Sequence, residues 1–198
     1  MEKKLKFMFL ILASLLLQTI KSNAETQSSD HQSPCLAGKE KITTMRFYVQ
    51  DFVGGDSPTV WRVAQTNLTE VLPSDFGAVD VLDNLVTSEP EVDSKEVGRI
   101  QGIIGLTDFH EKALVMLLNL VFTEGEYKGS TLSVLGRNPL HEKIREVPIV
   151  GGTGAFRMAR GYAITTTYST DETKRHPNVY QYDVVVYHFD GFTLLARQ

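Results

Sequence analysis

Residues 112–122 read Lys-Ala-Leu-Val-Met-Leu-Leu-Asn-Leu-Val-Phe, and how this run is read decides the fold class. Leu, Met and Ala favour helices, which would make the chain mixed. No N-capping residue precedes the run, however, and no apolar stripe of helical period emerges from it. The stretch is therefore expected to be a strand. Working outward in both directions, short apolar segments alternate with turn signals. These are Gly54-Gly55-Asp56-Ser57-Pro58, Pro73-Ser74-Asp75, Ser88-Glu89-Pro90, Glu124-Gly125-Glu126, Gly136-Arg137-Asn138-Pro139, Gly151-Gly152-Thr153-Gly154 and His176-Pro177-Asn178. The expected strands, 44–53, 60–66, 76–86, 96–106, 112–123, 128–136, 158–168 and 179–189, number about eight. Eight antiparallel strands can close into a barrel wide enough to hold one small ligand, so the expected fold is all-β, an eight-stranded antiparallel β-barrel. Gly151-Gly152-Thr153-Gly154 is read as a tight turn needing positive φ.

Composition fits a globular chain: of 198 residues, 42% are hydrophobic and 22% charged, with 15 Gly, 7 Pro and a single cysteine, Cys35. One cysteine allows no disulfide within the chain. Lys3, Lys4 and Lys6 precede an apolar stretch from Phe7 to Ile20, and Ser22-Asn23-Ala24 has the small-residue spacing of a cleavage site, so residues 1–24 read as a secretory signal peptide. That stretch is shorter than the ~20 residues a membrane-spanning helix needs, which argues against a membrane protein. Cleavage after Ala24 leaves 16 basic and 23 acidic residues, a formal charge of −7. With no basic cluster, nucleic acid is not an expected partner. Residues 25–42 are polar and expected to form a flexible leader, so the domain is placed at 43–198. Asn67-Leu68-Thr69 is the one N-glycosylation sequon, which makes Asn67 a candidate glycan site.

Two charged residues share parity with apolar neighbours. Asp51 aligns with Met45, Phe47, Val49 and Val53 on one face of strand 44–53. If that face looks into a barrel, the carboxyl is desolvated and suited to acid or base work; alternatively it caps the Gly54-Gly55 turn through backbone hydrogen bonds. Arg145 aligns with Val147 and Ile149, either to meet a buried carboxylate or substrate oxygen, or to snorkel to the surface. Arg160, Tyr162, Ile164, Thr166 and Tyr168 share one face of strand 158–168, as do Val179, Gln181, Asp183, Val185, Tyr187 and Phe189 on strand 179–189. These read as ordinary barrel positions. The five His residues show no metal-ligand spacing, and there is neither a G-x-S-x-G elbow nor a dinucleotide fingerprint; no metal or other cofactor is expected.

Six blocks then resemble plant dirigent proteins, in order, across about residues 44–189. They are Arg46-Phe47-Tyr48-Val49-Gln50-Asp51, Phe76-Gly77 with Val79 and Asp83, Val97-Gly98-Arg99-Ile100-Gln101-Gly102, Phe122-Thr123 through Thr131, Gly136-Arg137-Asn138-Pro139, and Arg145 through Tyr162. The resemblance implies an eight-stranded barrel similar to allene oxide cyclase. It also implies secretion to the plant apoplast or cell wall, and a homo-oligomer, with a trimer favoured over a dimer. Members of the family steer phenoxy radicals, made by a separate laccase or peroxidase, to one stereochemistry in lignan biosynthesis. Others close quinone methides to pterocarpans.

Carried over by motif, Asp51 is the first-strand acid and Arg145 its basic partner. Phe47, Val49, Ile104, Leu106, Asn138 and Ile164 are expected to contact the substrate. Five positions depart from the pattern: Gln50 replaces a His, Asn138 a second acid, Ala155 an Asp, and Ile104 with Leu106 a pair of Tyr residues. The leading expectation is stereodirected coupling of monolignol radicals. The alternatives are an isoflavanol dehydratase that cyclises a quinone methide, and a cell-wall defence protein that binds phenolics without transforming them.

Overall fold

The computed structural model describes residues 39–190, which form one antiparallel sheet of nine strands. They are β1 (Glu40–Asp51), β2 (Val60–Ala64), β3 (Val79–Thr87), β4 (Glu96–Leu106), β5 (Ala113–Phe122), β6 (Thr131–Pro139), β7 (Ile144–Thr153), β8 (Arg160–Ser169) and β9 (Asn178–Phe189). From β3 to β9 each strand pairs with the next. β1 pairs with β9 along its whole length and with β3 through Tyr48↔Thr87, Val49↔Val86 and Gln50↔Leu85, which closes an eight-stranded barrel. β2 is the ninth strand. It pairs with β3 just beyond the point where β1 ends and so continues the wall.

The expected signal peptide, most of the expected leader and Cys35 lie outside the described residues. The domain begins earlier than the expected boundary at 43, because Glu40, Lys41 and Ile42 pair with Phe189, His188 and Tyr187. The larger correction is β7. Pro148 and the run of glycines look like strand breakers in sequence, yet Ile144–Thr153 is a full strand. Its pairing with β6 runs from Thr131↔Thr153 to Ser133↔Gly151, skips Val150 and resumes at Val134↔Ile149. This bulge re-aims the strand. The Pro148 ring lies against Gly136, where an added Cβ would come within 2.5 Å of the proline Cδ. The expected tight turn also contracts to one residue: Gly151 to Thr153 are strand, and only Gly154 has a positive φ, of 62°.

β5 shows why its period was hard to read. Met116, Leu118, Leu120 and Phe122 face inward and are buried, while Val115, Leu117 and Val121 are apolar on the outer face. Leu117 pairs with Ile103 on β4 and with Leu135 on β6, and all three are exposed. Hydrocarbon on both faces erases the alternation that marks a half-buried strand.

Antiparallel registers bring particular strand ends together. One end of the barrel gathers the start of β1 and the ends of β5, β7 and β9, and is filled with rings. Phe156, in the short 3-10 turn Gly154–Phe156 after β7, packs on Phe122, Tyr127 and His188 with centroids 5.4, 4.8 and 5.1 Å apart. His188 is buried there; its Nδ1 lies 3.0 Å from the Ala155 carbonyl, an acceptor, so Nδ1 carries a proton, and its Nε2 lies 2.8 Å from the Thr43 hydroxyl. Phe47 stacks on Tyr182 at 5.5 Å and forms the floor between this filled end and the other.

Candidate functional site

Above that floor the barrel holds a cavity of about 220 Å³. Its two sides differ in chemistry. Ile100, Ile104 and Leu106 of β4 and Leu114, Met116 and Leu118 of β5 make an aliphatic wall, while Asp51, Asn84, Thr165, Asn178, Tyr180 and Tyr182 make a polar one. Parity explains the split: every one of these side chains occupies an inward position, and polar types fall on β1, β3, β8 and β9, apolar types on β4 and β5.

Asp51 ends β1 on the cavity side. Asn84 Nδ2 donates to Asp51 Oδ1 at 2.7 Å, and Asn84 is itself held by the Thr59 hydroxyl, which donates to Asn84 Oδ1. Asn178, its register partner on β9, supplies a second hydrogen bond. Burial pushes the Asp51 carboxyl above its ordinary value, and the charge of Asp80 adds to the push, against the two asparagine hydrogen bonds that favour the ionised form. Turn capping does not describe this residue. Its partners are side chains of the two neighbouring strands, and the turn after β1 is closed instead by the Thr59 and Val60 amides donating to the Phe52 carbonyl.

Arg145, on the inward face of β7, is 2% exposed. Snorkelling is therefore overturned. Its guanidinium donates to the Thr167 hydroxyl at 3.1 Å and covers the Tyr180 ring at 5.8 Å, while its Nε has no hydrogen-bond partner. Among the described residues it makes no ion pair. A buried cation so placed is costly unless an oxygen is brought to it. It does not line the cavity; it reaches it through Tyr180. Burial first and the Asp51 charge second raise the Tyr180 phenol, and the nearby Arg145 charge opposes them. Burial likewise pushes Tyr182 up to about 12. Both phenols are neutral hydrogen-bonding groups around neutral pH.

The remaining expected residues divide. Val49, Ile104, Leu106 and Asn138 line the cavity, and the buried Asn138 Oδ1 has no hydrogen-bond partner. Phe47 lies beneath the cavity in the packed core. Ile164 is on the outer face, paired across from Asp183, which holds an exposed ion pair with Arg46. Gln50 is buried outside the cavity, under residues 88–95, donating to the Thr87 hydroxyl and the Pro90 carbonyl. Ala155 is exposed at the ring-filled end, so its departure from the family pattern does not touch the cavity. Asn67 is exposed in the segment between β2 and β3.

Sequence reasoning missed Asp80, Asn84, Asn178, Tyr180 and Tyr182. For Asp80 and Asn84 a signal existed, since both share parity with Leu82 and Val86. Tyr180 and Tyr182 stand on the face of β9 opposite to Gln181 and Asp183, and β-forming residues on both faces hid which one turned inward.

Comparison with known proteins agrees with this architecture. The family model described as dirigent-like protein matches residues 42–187. Dirigent protein 1 of Arabidopsis thaliana is 39% identical over 188 residues, covering 95% of this chain and all of the relative. Pterocarpan synthase 1 of Glycyrrhiza echinata is 41% identical over 192 residues, covering 96% of this chain and all of the relative. The solved structure of a pterocarpan synthase dirigent protein superposes with a TM-score of 0.71 at 42% identity, covering 78% of this chain and 89% of that one.

Proposed function

The chain belongs to the dirigent-like protein family, and from that premise we propose that it is an acid-assisted dehydratase and cyclase acting on a phenolic benzylic alcohol of the isoflavanol type, by way of a quinone methide. The observation that carries this reading is Asp51: a carboxyl, raised by burial, at the edge of a largely aliphatic cavity. A carboxyl raised in this way holds its proton to higher pH than a free one and can protonate a leaving hydroxyl.

The cavity supports one occupant. At about 220 Å³ it lies just below the usual range for ligand pockets, room for one fused-ring phenol and not for two monolignol radicals side by side. In the proposed step the Asp51 carboxyl gives its proton to the benzylic oxygen, the carbon–oxygen bond breaks and water leaves. A neighbouring phenol of the same molecule then adds to the benzylic carbon, and its proton returns to the Asp51 carboxylate. Arg145, with a free Nε behind the Tyr180 ring, steadies oxygen charge as it develops. The aliphatic wall excludes water that would otherwise recapture the intermediate, and by holding one conformer it presents a single face of the benzylic carbon to the phenol, which gives the product its handedness. The protein is secreted and acts in the apoplast.

The test uses purified protein and an isoflavanol without any oxidant, with the product resolved on a chiral column. Enantioenriched cyclised product is expected. No turnover under these conditions, together with an enantioenriched lignan from coniferyl alcohol and a laccase, would replace this reading with radical coupling.

A further inference from the structure

A second carboxylate belongs to the cavity. Asp80 occupies an inward position of β3, two inward steps from Asn84, and lines the cavity together with Leu82 and Asn84. Asn84 marks the position of Asp51 through its hydrogen bond, so the run from Asn84 to Asp80 separates the two acids by up to about 13 Å of strand. That is the scale of one fused-ring phenol lying between them. The two carboxyls have opposite surroundings. Asp51 is held by neutral amides and faces hydrocarbon, whereas Asp80 pairs in register with Arg62 of β2, whose guanidinium grips it through Nε and, at 3.4 Å, through Nη2. Cross-strand partners share a face, so Arg62 comes from the strand that takes over the wall where β1 stops.

The Asp80 side chain is 14% exposed, and nothing else among the described residues pairs with it. Each carboxylate oxygen has two acceptor sites, and Arg62 leaves acceptor capacity on the cavity side. The charged and titratable groups facing Asp51 are Asp80 from β3, Tyr180 and Tyr182 from β9, and Arg145 from β7 by way of Tyr180.

We propose that Asp80, gripped by the Arg62 guanidinium on one side and open to the cavity on the other, is the base of this site: it accepts the proton of the substrate's distal phenol, para to the ring carbon that bears the reacting centre, while Asp51 protonates the leaving hydroxyl at the other end. This rests on the dehydratase reading and deepens it. The phenolic O–H bond breaks and its proton goes to Asp80; the electron pair moves through the ring, the benzylic C–O bond breaks, and the departing oxygen leaves as water with the Asp51 proton. On ring closure the second phenol adds to the benzylic carbon and gives its proton to Asp51, and the quinone oxygen recovers its proton from Asp80. Both carboxyls end as they began, and one water is lost. The ligand class follows: the cavity requires a free hydroxyl at the distal position and discriminates against the methyl ether.

The experiment compares wild type, Asp80→Asn and Asp80→Glu on an isoflavanol with a free distal hydroxyl and on its distal methyl ether, following turnover and, by fluorescence titration, binding. Wild type is expected to turn over the phenol and not the ether. Asp80→Asn should lower kcat on the phenol by about 100-fold, with Asp80→Glu recovering part of the loss. It should also abolish a preference for binding the phenol of about tenfold. Full turnover by a folded Asp80→Asn variant would overturn the inference and leave the proposed function standing. If wild type itself fails to turn over the phenol, the proposed function falls and binding decides the Asp80 contact: equal wild-type affinity for phenol and ether overturns it, and a preference erased by Asp80→Asn supports it.

Discussion

The two halves of the barrel are built from the same strands and do opposite things. At one end Phe122, Tyr127, Phe156 and His188 fill the tube with rings in contact; at the other, Ile104, Leu114 and Met116 line space and Asp51 stands at its edge. Rings contributed by facing elements meet and fill the tube, whereas the aliphatic side chains of β4 and β5 leave space opposite Tyr180 and Tyr182. Cavity and plug are thus chosen by side-chain size at successive inward positions of one strand, as on β5, where Phe122 plugs and Met116 does not. The difference teaches a division of labour: packing at the ring-filled end holds the barrel closed, and the open end is free to carry a buried acid.

That division can be broken by substitution. Asp51→Asn is expected to slow isoflavanol turnover by about 10²- to 10⁴-fold with the barrel still folded, read by single-turnover kinetics beside a thermal melt. At the other end Phe156→Ala should cost about 3–5 kcal/mol in urea unfolding. Turnover per folded molecule should survive that change, and its loss would mean that the two ends are not independent. Ile104→Phe brings the ring-filled character into the cavity, and ligand affinity should fall by about tenfold or more while stability shifts by less than about 1.5 kcal/mol.

Much of this contrast was legible in the sequence, for identifiable reasons. The parity of Phe47, Val49 and Asp51 is preserved because β1 runs without a bulge, so counting by twos gives the right face. Arg145, Val147 and Ile149 kept their parity for the same reason, since the bulge at Val150 comes after them. Counting failed where one rule masked another. Pro148 and Gly151-Gly152 argue locally against a strand, and pairing with β8 overrides them. On β8 and β9, Tyr, Val and Thr occupy both faces, so nothing local distinguished inward Thr165 and Tyr182 from outward Ile164 and Asp183. The Asp80–Arg62 pair needed a cross-strand register that no single segment displays.

The smallest expected effect is on stability against pH. Folding raises the Asp51 pKa, so the folded state holds a proton that the unfolded state has released. Its contribution is fully present below the unfolded value near 3.8 and is lost as pH rises toward the raised folded value. The melting temperature of wild type should therefore fall relative to Asp51→Asn as pH increases through that window, and a gap that stays constant would show that the carboxyl titrates alike in both states.

The proposed chemistry requires a protonated Asp51 carboxyl in a ligand-sized space. Infrared difference spectra of wild type minus Asp51→Asn across a pH titration, with and without a bound phenol, read that carboxyl directly. A protonated C=O band that persists well above pH 3.8 and shifts when the phenol binds is the predicted result. A band lost at or below that pH, and indifferent to the ligand, would contradict it.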